Sequence, residues 1–159
     1  MAGHDEHRYR ATTIWDGSAA ATHDYDSYSR EYRVEMPGKP DIGGSADPAF
    51  RGDAGLHNPE DLMVAALSAC HMLWYLHLCA VKGVVVTGYE DSAEGIMVAE
   101  PGNGRFTDVV LRPVVTITAD SDAAKAMSLH ARAHDECFIA NSVNFPVRCE
   151  PTVATAGAA

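Results

Sequence analysis

The sequence has few basic residues and no cysteine pair of the Cys-x-x-Cys type. Its 159 residues include 12 Lys and Arg against 22 Asp and Glu, which gives a formal charge of -10 at pH 7. This charge repels nucleic acid phosphates and anionic membrane surfaces, so we expect neither as a partner. The four cysteines lack thioredoxin and zinc-ribbon spacing, which leaves metal, redox, catalytic or packing roles for Cys70, Cys79, Cys137 and Cys149.

The sequence also lacks an obvious targeting or membrane segment. The stretch MAGHDEHRYR has neither an apolar core nor a cleavage site, so we expect no secretory signal and a cytoplasmic location. The most apolar stretch, residues 57–83, is interrupted by His71 and His77, and we expect no membrane span there. At this length we expect one domain that covers residues 1–159.

The N-terminal third is predicted to contain a hairpin and a long loop. Residues 8–15 and 27–36 have the β-branched and aromatic content of strands, with a polar connection between them. Residues 37–57 are rich in Gly, Pro and Asp without a sustained period, which predicts an irregular loop. A loop of about twenty residues is long for a compact domain, and loops of that length are often functional.

A long central helix is predicted over residues 59–82. Asn58 fits its N-cap, Pro59 fits the first helical position, and Gly83 fits the position after its end. The stretch is apolar on most of its faces, so we expect a sheet or a partner subunit to bury it.

The second half of the chain is predicted to contain two hairpin strands, a helix and a last strand, at residues 84–100, 105–118, 120–137 and 142–153. Asp120 or Asp122 would cap this helix. Strands and helices alternate as hairpins rather than as βαβ units. The order therefore predicts an α+β fold with antiparallel sheets packed around the long buried helix.

Cys70 lies near the middle of the central helix in apolar surroundings. Residues three, four and seven positions away share its face, namely Met63, Ala66, Leu67, Leu73, Trp74 and His77. The helix dipole acts only near the helix end, so a thiolate at Cys70 would need a nearby cation. The sequence supports equally the alternative that Cys70 is an unreactive core residue that packs as a small apolar side chain.

Other cysteine and histidine patterns support less specific interpretations. Cys79 lies on the opposite face of the helix, and Cys149 fits packing within a strand. His130, His134 and Cys137 have the spacing of a zinc-binding helix face, but the pattern lacks a fourth ligand and a metalloprotease glutamate. A cysteine hydrolase with Cys70 as nucleophile is disfavoured, because such cysteines usually lie at a helix start.

Two arginines stand in unusual places for such an acidic chain. Arg30 lies in a predicted strand, and Arg51 lies in the loop just before the central helix. The simple alternative for each is a surface charge paired with local acids, and Glu60 by default only complements the helix dipole.

Two segments resemble the OsmC/Ohr family of thiol-dependent hydroperoxide reductases. NPEDLMVAALSACH is similar to the family's Asn-Pro-Glu-x-Leu segment, with Glu60 ten residues before Cys70. AHDECFIAN is similar to the segment that holds the family's second cysteine, which matches Cys137. The 67 residues between the two cysteines also fit the family.

The resemblance implies a mechanism and its residues. Cys70 would attack an organic hydroperoxide and become a sulfenic acid, and Cys137 would then form a disulfide with it. An arginine would stabilise the thiolate, with Arg51 matching the OsmC branch and Arg30 the Ohr branch. Glu60 would orient that arginine through a bidentate pair. The resemblance implies no metal or organic cofactor, and it suggests a dithiol reductant of the lipoyl type.

The resemblance also implies an intertwined homodimer. Ten helical residues separate Glu60 from Cys70 by about 15 Å along the axis, so the carboxylate acts through a long arginine or from the partner subunit. His71 follows Cys70 where the best-known members carry an aromatic residue, which indicates a less typical branch. The alternative function is a non-catalytic zinc- or apolar-ligand-binding protein of the same fold.

Overall fold

The structure, a computed structural model, describes residues 5–17, 21–100 and 102–157. It divides the chain into two compact units, Met1–Leu62 and Met63–Ala159. The prediction of a single domain stays a prediction.

The first unit contains a three-stranded antiparallel sheet. Strands β1 (Thr12–Ile14) and β2 (Tyr32–Glu35) form the predicted hairpin, although both are shorter than predicted. Strand β3 (Ile42–Gly44) pairs with β2 inside the segment predicted to be an irregular loop, so that prediction was wrong for these residues. Gly44 lies opposite Tyr32, and a Cβ there would come within 2.6 Å of the tyrosine ring. The glycine that indicates a loop in the sequence therefore permits close strand packing.

Helix α1 (Pro59–Lys82) has the predicted boundaries. The Asn58 side chain accepts a hydrogen bond from the Asp61 amide at 2.7 Å, and Gly83 ends the helix with φ of +75°. By length and composition alone, α1 is apolar enough to cross a membrane. The prediction that no segment meets this criterion was therefore wrong.

The second unit contains two three-stranded sheets and a second helix. Its elements are β4 (Val86–Asp91), β5 (Glu94–Val98), β6 (Arg105–Leu111), β7 (Pro113–Ile117), α2 (Ala123–Glu136), β8 (Val147–Cys149) and β9 (Thr152–Thr155). The sheet orders are β4-β7-β9 and β5-β6-β8. Each long predicted strand is thus two strands in different sheets. Asp122, one of the two predicted caps, caps α2 by accepting from the Lys125 amide at 3.0 Å.

The α+β class is confirmed, and the sheets of the second unit are mixed. β4–β7 and β5–β6 are antiparallel, whereas β6–β8 and β7–β9 are parallel. The buried face of α1 consists of Leu67, His71, Tyr75, Leu78 and Cys79. One apolar cluster contains Tyr75 and residues of β7 and α2, and a second contains Leu67 and residues of β6. This packing fixes which α1 side chains point into the protein.

Candidate functional site

The two predicted redox cysteines lie close together in the second unit. Cys70 is half-buried on α1, and Cys137, the residue after α2, has an exposed fraction of 1%. Burial raises the pKa of the Cys137 thiol, and the neighbouring Cys70 thiol raises it further. Both cysteines are free thiols. The structure therefore brings these two thiols within interaction distance.

The end of α2 holds the Cys137 thiol in place. Cys137 has φ of -70° and ψ of 110°, so the backbone leaves the helix there, and its amide donates to the His134 carbonyl at 3.2 Å. Its Sγ accepts a hydrogen bond from the Ala140 amide at 3.5 Å. The cysteine thus belongs to an ordered turn rather than to a frayed helix end.

An apolar pocket lies on the Cys70 face of α1. Leu73, Trp74 and His77 line a surface pocket of about 220 Å³. The Trp74 ring contacts the Phe138 ring edge-on, with centroids 5.2 Å apart. Phe138 follows Cys137 in the chain and is 68% exposed. An apolar molecule in this pocket would lie beside residues adjacent to both thiols.

Both candidate arginines lie against Tyr25 in the first unit. The guanidinium carbons of Arg30 and Arg51 are 4.8 and 5.3 Å from its ring centroid. Arg30 also lies 3.8 Å from the Tyr28 ring centroid, and Arg51 pairs with Asp26 at 2.8 Å. The structure thus brings together the two arginines between which the sequence could not choose.

Arg51 has a constrained backbone, and Glu60 has no ionic partner among residues 5–17, 21–100 and 102–157. Arg51 has φ of +66° at the end of a short 3-10 helix, Pro48–Phe50. Within the described residues, neither candidate arginine forms an ion pair with Glu60, and Arg51 pairs with Asp26 instead. The catalytic roles of Arg30, Arg51 and Glu60 stay predictions.

A cluster of two buried histidines and a half-buried cysteine was missed by sequence analysis. His71 on α1 and His130 on α2 are fully buried, and the His71 Nε2 atom lies 3.1 Å from His130 Nδ1. The Cys149 Sγ atom on β8 lies 3.5 Å from His71 Nε2. Tyr75 stacks on His130 with ring centroids 3.8 Å apart. An isolated histidine on the buried face of an apolar helix was the available indication.

This cluster differs from the zinc set considered from helical spacing. In the part of the chain that the structure describes, the group with closely spaced metal-type ligands is His71, His130 and Cys149. Cys137 is not part of this group, and its Sγ accepts from the Ala140 amide and lies near Cys70 instead.

Burial keeps all three groups of this cluster neutral at pH 7. Desolvation lowers the pKa of His71 to about 4 and that of His130 to about 3, with a smaller contribution from neighbouring histidines. Burial, aided by the charges of Asp91 and Glu150, raises the pKa of the Cys149 thiol to about 12. The cluster is therefore two neutral imidazoles and a protonated thiol.

Comparison with known proteins identifies the family to which this chain belongs. Residues 52–152, more than half of the chain, match the sequence model of a protein family, and that family is described as OsmC-like protein. This chain belongs to the OsmC-like protein family. A solved OsmC-like protein of unknown function from Vibrio cholerae is 33% identical, with a TM-score of 0.84, over 92% of this chain and 99% of that chain.

Two more distant OsmC-like folds are organic hydroperoxide resistance proteins. The protein from Elizabethkingia anophelis is 18% identical with a TM-score of 0.69, over 95% of this chain and 98% of that chain. The protein from Bacillus subtilis is 19% identical with a TM-score of 0.60, over 93% and 98%. No curated protein sequence matches this OsmC-like chain. At these identities the two structures establish the shared fold alone.

The neutral histidine pair predicts acid destabilisation of the protein. An unfolded histidine has a pKa of about 6.5, so below that pH the unfolded chain binds protons that folded His71 and His130 do not. The contribution of these two histidines to the free energy of unfolding is therefore fully present above about pH 6.5, and the protein becomes less stable as the pH decreases toward 4. Urea unfolding at pH 7 and pH 5, with a chelator present, measures the effect.

His130→Asn should weaken this pH dependence, whereas the exposed His23→Asn should leave it unchanged. An equal pH dependence in the His130 variant and the parent would show that the buried pair is not neutral.

Proposed function

We propose that this OsmC-like protein is a thiol-dependent peroxidase that reduces organic hydroperoxides to alcohols. The observation that carries the proposal is that the Cys70 thiol, on α1, lies near enough to the Cys137 thiol, at the end of α2, to influence its pKa. Two cysteines with this relation can store two electrons as thiols and release them by forming one disulfide.

The reaction needs two steps at sulfur. The Cys70 thiolate attacks the terminal oxygen of the hydroperoxide, the O–O bond breaks, and the leaving alkoxide takes up the proton that Cys70 lost on ionising, which gives the alcohol. Cys70 is then a sulfenic acid, which condenses with the Cys137 thiol to form a disulfide and release water. A dithiol donor returns two electrons and two protons. The donor class, including a lipoyl-type dithiol, is part of the proposal.

The different burial of the two thiols supports this order of steps. Cys70 is partly exposed, so a peroxide can reach it, whereas Cys137 is almost completely buried. Burial and the neighbouring Cys70 raise the pKa of Cys137, which keeps its thiol protonated at first. Cys137 is thus suited to react second, once Cys70 has been oxidised.

The pocket on the Cys70 face of α1 supports an organic substrate. Leu73 and Trp74 offer apolar contact, and the volume of about 220 Å³ accommodates a small alkyl or aryl group. Hydrogen peroxide would gain nothing from such contacts, because it has no apolar part. Two related folds are described as organic hydroperoxide resistance proteins.

The remaining predicted site residues are two arginines and a glutamate, whose charges would assist the reaction at Cys70. A guanidinium near Cys70 would stabilise the thiolate and the developing charge on the peroxide oxygens. Arg30 and Arg51 are the candidates. In the structure both guanidinium groups contact the Tyr25 ring, which would be the position of an arginine that does not act at Cys70. Glu60 would orient the active arginine, from the same chain or from the partner subunit.

A homodimer is part of the proposal. α1 leaves large apolar side chains exposed, including Met63, Leu73 and Val81. Association of two copies through this helix would remove these side chains from water. We further propose a cytoplasmic location, where free thiols are maintained.

Loss of thiols on peroxide addition tests the proposed function. Reduced protein treated with cumene hydroperoxide should lose two thiols per chain, because Cys70 and Cys137 form one disulfide. Thiol counting under denaturing conditions measures this loss. Cys70→Ser should abolish it, while Cys79→Ser, which removes a buried thiol on the other face of α1, should preserve it. Equal loss in the Cys70 variant and the parent would contradict the proposal.

Separate arginine variants identify the cationic partner. In Arg30→Gln and Arg51→Gln proteins, one variant should show kcat/KM for cumene hydroperoxide about 100-fold lower, because a charge that stabilises the transition state is lost. Arg148→Gln is a matched control, since Arg148 is an exposed arginine that pairs with Asp108. If neither variant falls below this control, the proposed roles of Arg30 and Arg51 are excluded.

A further inference from the structure

The His71, His130 and Cys149 cluster takes no part in the proposed peroxidase chemistry. Its three residues come from α1, α2 and β8, so no single element explains their meeting. All three groups belong to the second unit. A buried assembly of two imidazoles and a thiol is costly to desolvate unless the groups bind one another or a ligand.

We propose that His71, His130 and Cys149 bind one soft metal ion, Zn²⁺ or Cu⁺, through Nε2, Nδ1 and Sγ. With metal–nitrogen bonds of about 2.0 Å and a metal–sulfur bond of about 2.3 Å, tetrahedral ligand atoms lie about 3.3 Å apart for N–N and about 3.5 Å for N–S. The structure has 3.1 Å and 3.5 Å for these separations. All three ligand atoms lie within 4.8 Å of one another.

Metal binding requires the rings to turn rather than the helices to approach. The two imidazole planes are within 8° of each other, and their facing nitrogens share a hydrogen bond. Each ring would rotate so that the lone pair of its nitrogen points to the metal instead of to the other ring. Two of the three separations are already near the required spacing, and the third, between His130 Nδ1 and Cys149 Sγ, is no more than 4.8 Å, so side-chain rotation can complete the site while the backbone remains in place.

The unpartnered nitrogens of the cluster provide places for the displaced proton. His71 Nδ1 and His130 Nε2 are buried and have no hydrogen-bond partner. Each neutral ring carries one N–H, and one of these lies between the two rings. On metal binding, that proton moves to the outer nitrogen of its own ring, and the Cys149 thiol releases its proton to solvent. One proton is released for each ion bound, and no electron is transferred.

The charge and softness of the ligands define the class of metal. A thiolate and two imidazoles favour soft or borderline ions over Mg²⁺ and Ca²⁺. Cu⁺ with one thiolate is neutral overall. Zn²⁺ with one thiolate carries one positive charge, and the nearby Asp91 carboxylate, which influences both His71 and Cys149, can balance it. Asp91 is held by Ser68 and by the Arg112 amide at 2.5 and 2.7 Å.

The ion would act as a clamp within the second unit. It would join two helices and a strand through residues that are far apart in the sequence. Because the unfolded chain does not hold the three ligands together, metal binding would raise the thermal stability of the folded protein. This role is independent of the proposed peroxidase reaction.

Titration of the full-length, metal-free, reduced protein tests the proposal. Cys70→Ser, Cys79→Ser and Cys137→Ser are combined so that Cys149 is the only thiol. Zn²⁺ and, under anaerobic conditions, Cu⁺ are titrated against competing chelators, and Co²⁺ serves as the spectroscopic probe for Zn²⁺. We expect one ion per chain, a thiolate-to-cobalt charge-transfer band and a higher Tm. The two affinities show which of the ions this ligand set prefers.

Variants of the proposed ligands separate this site from adventitious binding. Cys149→Ser and His130→Asn should each weaken binding by about tenfold or more, and Cys149→Ser should remove the charge-transfer band. The exposed His23→Asn is the control and should bind as the parent does. In the parent protein, which needs no substitution, Zn²⁺ should also slow alkylation of Cys149.

Two results would overturn the site: absence of the charge-transfer band when Cys149 is the only thiol, or unchanged alkylation of Cys149 in the presence of both ions. Thiol loss on peroxide addition is measured separately, so failure of the metal site and failure of the peroxidase proposal are distinguishable.

Discussion

The orientation of α1 in the second unit depends on the burial of one helical face. Leu67, His71 and Tyr75 are four residues apart, and together with Leu78 and Cys79 they form a stripe that is removed from water. Each residue advances the helix by about 100°, so burial of His71 leaves Cys70 at the edge of the stripe. The same packing that forms the core thus gives Cys70 partial access to solvent and places it beside Cys137.

Burial also decides the protonation of the groups around this helix. It keeps His71 and His130 neutral, and it keeps Cys137 and Cys149 as thiols, because each charged form would lose its hydration. The two cysteine environments are nevertheless different. Cys137 lies near another thiol, whereas Cys149 contacts an imidazole. The first environment suits disulfide formation, and the second suits binding of a metal ion.

The sequence predicted the features that depend on local chemistry. Asn58 and Gly83 marked both ends of α1, and the segments around Cys70 and Cys137 indicated the OsmC-like family, which the family comparison confirmed. Sequence analysis missed the features that depend on pairing between strands far apart in the sequence. The parallel pairs β6–β8 and β7–β9 join strands separated by α2, and hairpin rules apply only to neighbours in the chain.

The histidine–cysteine cluster was missed for a similar reason. His71 and Cys149 are 78 residues apart, and nothing in their local sequences links them. The choice between Arg30 and Arg51 could not be made because both precede α1 and both carry the same charge. Their common contact with Tyr25 is a property of the folded first unit and leaves no periodic pattern in the sequence.

Peptide mapping of the oxidised protein tests the central claim most directly. Reduced protein receives one equivalent of an organic hydroperoxide, is blocked at its remaining thiols and is digested without reduction. The account predicts a cross-linked peptide that joins Cys70 to Cys137, with Cys79 and Cys149 recovered in alkylated form. A disulfide that joins Cys70 to any other cysteine, or recovery of all four cysteines as alkylated thiols, would contradict it.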